Sequence, residues 1–163
     1  MDSLNKQNSL THFIVGASRG IGRSLVDQSI QNGHSVTALS RTSPTEPITG
    51  CNWITGNATE PEAFLDQLPE TINALTFCPG KVILGPVKRL KPEQMLEAYQ
   101  TSVLDAFTLI QALLPRLEGS VVFISSVAAT TGLPSHCAIS AAKSGLEGFA
   151  IALAADLAPK VRV

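Results

Sequence analysis

Short apolar runs alternate along this chain with longer stretches whose apolar positions recur at helical spacing, so strands and helices should take turns. Phe13, Ile14 and Val15 predict a first strand over about His12 to Val15. Ile21, Leu25, Val26 and Ile30 then predict a helix from Gly20 to Gln31, closed by Asn32 and Gly33 as a left-handed cap requires. SVTAL, Ser35 to Leu39, reads as a second strand. Thr42 to Gly50, with Pro44 and Pro47, is a loop. A short third strand covers about Asn52 to Ile54. Thr59, Glu60 and Pro61 then open a helix over Ala63 to Leu68.

A fourth strand runs from Ile72 to Phe77. After the loop Lys81 to Lys91 comes a long helix, about Pro92 to Leu117, with Met95, Tyr99, Val103, Phe107, Ile110 and Leu114 along one face. Pro115 should kink or shorten its last turn and Gly119 should end it. The fifth strand is Ser120 to Ile124. The final helix, about Ser135 to Leu157, carries Ala138, Ala141, Ala142, Gly145, Gly148, Ala150 and Ala154, small enough for close helix contacts. This alternation predicts an α/β chain whose parallel sheet has helices on both faces. Right-handed crossovers give a doubly wound order 3-2-1-4-5, with ligands at the carboxyl edge where the winding reverses. No repeat or linker divides residues 1–163, which read as one domain.

Between the first strand and its helix stand Gly16, Gly20 and Gly22. Gly16 turns the chain where a Cβ would clash, Gly20 lets the backbone approach a pyrophosphate, and Gly22 lets helix and strand pack closely. Ser18, Arg19 and Ile21 complete a loop whose free N–H groups and helix dipole face an anion. The second strand ends at Ser40 and Arg41. An acidic residue there would suit a ribose 2′-hydroxyl, whereas Arg41, with Arg19, suits a 2′-phosphate, so the expected cofactor is NADP(H). The alternative is two solvated surface arginines. Asn57 either reaches the adenine edge or serves as a turn residue.

With 12 basic and 13 acidic residues and no basic block, nothing points to nucleic acid. Cys51, Cys78 and Cys137 lack metal-ligand spacing and read as reduced, buried thiols; no metal site is expected. The polar lead-in MDSLNKQNSLT lacks a signal-like apolar stretch, and no segment reads as membrane-spanning, so a cytoplasmic location is expected.

Four stretches together resemble the short-chain dehydrogenase/reductase family over nearly the whole chain: GASRGIG at Gly16 to Gly22, IQALLP ending the long helix, FISS at Phe123 to Ser126, and AAKSGLEGFAIALAADLAP running to Pro159. The resemblance implies a Rossmann-type fold and hydride transfer between nicotinamide and a small carbonyl or alcohol substrate. It casts Ser126 as the serine that polarises the carbonyl and Lys143 as the lysine that grips the nicotinamide ribose. The family's proton-donating tyrosine, four residues before the lysine, is here Ile139, which can neither donate nor accept a proton. Ser102 falls where the family has an asparagine. Phe77, Cys78, Pro79 and Gly80 replace NNAG, keeping the glycine at the cofactor.

The closing VRV resembles the start of a sixth strand, where the family continues into two more strands. The sheet is therefore expected to lack strands six and seven and to leave the edge of strand five open. The resemblance also implies a homo-dimer or homo-tetramer through the long and last helices. Two functions remain open: an NADP-dependent oxidoreductase that takes its proton from a substitute such as His136, one turn before Ile139, or from water, and a binding module that holds NADP(H) with little turnover.

Overall fold

The computed structural model describes residues 9–163; the part of the polar lead-in at residues 1–8 lies outside them. A parallel sheet of β1 (Thr11–Val15), β2 (Ser35–Ser40), β3 (Cys51–Thr55), β4 (Ile72–Phe77), β5 (Leu117–Phe123) and β6 (Val161–Arg162) runs in the order β3-β2-β1-β4-β5-β6. The chain reverses its winding beside β1. Val15 pairs with Leu39 on one side and Phe77 on the other, so the loops leaving β1, β2 and β4 emerge at one level.

Strand alternation sorts the two faces. Phe13 and Val15 point into the larger core with α3 (Asp105–Leu113) and α4 (Cys137–Leu157), where Leu109, Leu113 and Leu146 are wholly buried. Ile14 points the other way, onto Val26 of α1 (Gly20–Gln31). Both faces are thus covered, as an all-parallel sheet requires.

Several expectations need correction. Strand six is present, since Val161 and Arg162 pair with Gly119 and Ser120. Beyond Ser120 the outer edge of β5 has no paired strand among the described residues, and Val122 is half exposed. The helix expected over Ala63 to Leu68 is two 3-10 turns, Pro61–Ala63 and Leu65–Gln67. They part at Phe64, whose ring is buried.

The long helix is not continuous. α2 (Pro92–Tyr99) passes through a π-turn (Gln100–Leu104) into α3, and a 3-10 turn over Leu114–Arg116 ends it at Pro115. A π-turn adds a residue and rotates the face that follows. Hence Ala106, Leu109, Ile110 and Leu113 are buried, while Phe107 and Leu114 of the expected stripe are exposed. Gly119 lies inside β5, which begins at Leu117, beside the irregular register opposite Ile72 and Ala74.

Two readings of composition also change. Cys137 is exposed at the start of α4, while Cys51 and Cys78 are partly buried; all three are free thiols. At 21 residues, α4 is long and apolar enough to cross a membrane by length and composition. Its small residues instead let it pack on α2: Ala138 and Ala142 are buried with Ala98, and a Cβ on Gly145 would lie 3.0 Å from the Tyr99 ring.

Candidate active site

The glycine loop is held by main-chain bonds to its neighbour strand. Gly16 and Ala17 N–H both donate to the Leu39 carbonyl, at 2.9 and 3.2 Å. Gly16 has φ +80°, a conformation that a side chain strains. A Cβ on Gly22 would lie 2.4 Å from the Gly16 carbonyl oxygen, so α1 can approach the turn only without one. Gly20, at φ +58°, would meet nothing within 4 Å and faces open space. No side chain caps α1, and no acidic residue occupies its first turn. Its leading N–H groups therefore remain available to an anion.

A cavity of about 500 Å³ opens on this loop at the carboxyl edge of the sheet, within the size range of small-ligand sites. Gly16, Ser18, Arg19, Gly20, Ile21 and Gly22 line one side. Ser40, Arg41, Asn57 and Gly80 complete the set expected from the sequence. Lys143 is the exception: it sits behind Gly80, where an added Cβ would come within 3.0 Å of its Nζ.

Sequence reasoning missed Thr59, Gln100, Thr101 and Asp105 on the cavity wall. The last three lie off the apolar stripe, at the π-turn and the first residue of α3, and carry no local sequence signal. Gln100 Nε2 donates to Asp105 Oδ1 at 2.9 Å. Burial raises the Asp105 carboxyl above its usual range, while this hydrogen bond and the charge of Arg41 work against the rise.

The side around Lys143 is built differently. Lys143 is 5% exposed, and its Nζ donates to the carbonyls of Ile124 at 2.7 Å and Pro79 at 3.3 Å. Burial lowers its pKa, opposed by nearby Cys78. The Cys78 thiol, on the cavity wall, is pushed up to about 11 by burial against the pull of the Lys143 charge. Ser102, in the π-turn, is completely buried, and its Oγ has no hydrogen-bond partner among the described residues. Ile139 is buried as well.

The remaining candidates stand apart from the nucleotide cavity. Ser126 Oγ accepts from the Ala128 N–H at 3.2 Å, starting the turn Val127–Ala129. His136 sits immediately before α4 with Nδ1 2.7 Å from the Pro134 carbonyl, so its Nδ1–H donates there. The structure thus brings Lys143, Gly80 and Ser102 together and leaves Ser126 and His136 on their own loops. Among the described residues no cluster of three or more metal-ligating side chains occurs.

Residues 11–163 match the family of short chain dehydrogenases. The chain is 28% identical to carbonyl reductase family member 4 of Danio rerio over 90% of its own length and 69% of that protein's. It is 29% identical to a 3-oxoacyl-(acyl-carrier-protein) reductase of Mus musculus, covering 92% and 70% of the two chains. A short chain dehydrogenase from Burkholderia cenocepacia, solved in complex with NADP, superposes with a TM-score of 0.86 at 22% identity. That match covers 95% of this chain and 70% of the other.

Proposed function

The chain belongs to the short chain dehydrogenase family, and on that premise we propose that it is an oxidoreductase using NADP(H) on a carbonyl or alcohol. One observation carries this reading: the uncapped start of α1, the glycine loop and Arg41 converge on one cavity that a Cβ at Gly22 would disturb. Arg19 and Arg41 on its wall favour a 2′-phosphate.

When bound, the nicotinamide supplies or accepts the hydride. Lys143 holds the ribose side with the N–H that the two carbonyls leave free. Ser126 accepts from the Ala128 N–H and keeps its own O–H free to orient the substrate oxygen. Ile139 moves no proton, so the proton comes from His136 or water, and turnover is slow. A positioned general acid is worth roughly a hundred- to ten-thousand-fold.

The test panel is simple ketones and quinones, with a 3-oxoacyl thioester added for the likeness to a 3-oxoacyl-(acyl-carrier-protein) reductase. NADPH oxidation is followed for the wild type, Ile139→Tyr and His136→Ala. Slow wild-type turnover that His136→Ala removes supports the substitute acid. Cofactor binding with turnover only in Ile139→Tyr favours the second reading, a nucleotide-binding subunit, for which buried Ile139 speaks.

Exposed Leu96, Tyr99, Phe107 and Leu114 on the long helix and Ile151 on α4 suit pairing with a second copy, giving a dimer or tetramer. The free thiols suit a reducing, cytoplasmic setting.

A further inference from the structure

A second cavity, of about 430 Å³, lies beside the nucleotide cleft and shares only Ser18 with it. Its wall is the loop from Thr42 to Ile48 between β2 and β3, closed by Arg23 of α1 and Trp53 of β3. Arg19, Ser40 and Arg41, the residues placed for a cofactor phosphate, are not part of it.

Hydrogen-bond donors crowd this wall. Arg23 uses Nε on Asp27 at 3.3 Å, and its terminal N–H groups have no partner among the described residues. The hydroxyls of Ser18, Thr42 and Thr45 make no hydrogen bond there either, and Glu46 is the one carboxylate. The Trp53 Nε1–H is buried and has no acceptor among the described residues. A buried donor without a partner is uncommon. Pro44 and Pro47 fix the backbone of the loop, so little order has to be gained on binding.

We propose that this cavity binds a small anion, a phosphate or carboxylate, whose oxygens accept from Arg23, the loop hydroxyls and, with a small shift of the loop, Trp53. It is a site separate from the cofactor's and does not rest on the reaction proposed above.

Trp53 is the chain's one tryptophan and reports on the cavity directly. Its emission is followed while inorganic phosphate or citrate is added to the folded protein, alone and with saturating NADH or NADPH. Saturable change with either anion is the expected result, and the anion accepted tells phosphate from carboxylate. Arg23→Met weakens binding about tenfold, and Trp53→Phe, read by calorimetry, does so to a similar degree. Glu46→Gln, on the exposed loop, tightens it about two- to fivefold by removing a like charge. Melting curves check that each variant is folded. The proposal is overturned if neither anion gives saturation, if Glu46→Gln and the folded variants bind as wild type, or if NADPH but not NADH displaces the anion. That last result would mean the cavity serves the cofactor's own 2′-phosphate.

Discussion

The two halves of the carboxyl edge are assembled from different material. On the β1–α1–β2 side the site is main chain: a turn at positive φ, helix N–H groups and a contact at Gly22 that admits no Cβ. On the side of β4, the π-turn and α4 the proposed site depends on side chains, and there the family resemblance expects other residues at Ile139, Ser102 and Cys78. Backbone geometry tolerates wide sequence change as long as its glycines stay. Chemistry carried by a single side chain is lost in one substitution, so holding the nucleotide and turning it over can separate.

The largest way to strain the comparison is acid. His12, beneath the nucleotide half, has its ring nitrogens 2.9 Å from Ser29 Oγ and Thr76 Oγ1, and burial lowers its pKa from 6.5 to about 4. Its contribution is complete above pH 6.5 and declines as the pH falls from 6.5 to 4, because the unfolded chain takes up the proton first. The loss is about 3 kcal/mol by urea denaturation at either end of that window. His12→Phe should flatten the dependence.

Next come two glycines that look alike in sequence. Gly22→Ala sets a Cβ against a backbone oxygen at 2.4 Å and should destabilise by about 2–3 kcal/mol while abolishing nucleotide binding. Gly80→Ala meets only the end of the Lys143 side chain, at 3.0 Å. It should cost less than about 1 kcal/mol in thermal unfolding and show itself instead in turnover, as Lys143 is displaced. Equal losses of stability would erase the distinction between the halves.

A smaller effect sharpens the cofactor reading. Arg41→Asp should weaken NADPH about tenfold relative to NADH, one charge-assisted contact's worth. The smallest is Ser126→Ala, which removes one N–H acceptor at a short turn. About 0.5–1 kcal/mol of stability is expected to go with it, with nucleotide affinity unchanged.

The strand, glycine turn and helix from Thr11 to Gln31 were legible because every signal in them is local: β-favouring residues, glycines at turn positions, a cap at Asn32 and Gly33. The cavity residues from Gly16 to Arg41 followed, since they lie along that one turn and the strand beside it. The π-turn at Ser102 was hidden, because it leaves the composition of the helix unaltered and only turns the next face. Asp105 reached the cavity by that rotation. Phe64, buried between two 3-10 turns, stands where a helix was expected, and β6, only 2 residues long, was visible as the start of a strand but not as a paired one. Ser126 was placed by motif position and His136 by helical spacing from Ile139, and the loops carrying them answer to their own hydrogen bonds.

The most direct test of the main-chain cradle is calorimetric titration of the folded protein with NADPH and NADH. Saturable one-to-one binding, tighter for NADPH and lost in Gly22→Ala, is the predicted result. No binding of either nucleotide by a protein whose melting curve shows it folded would contradict the account.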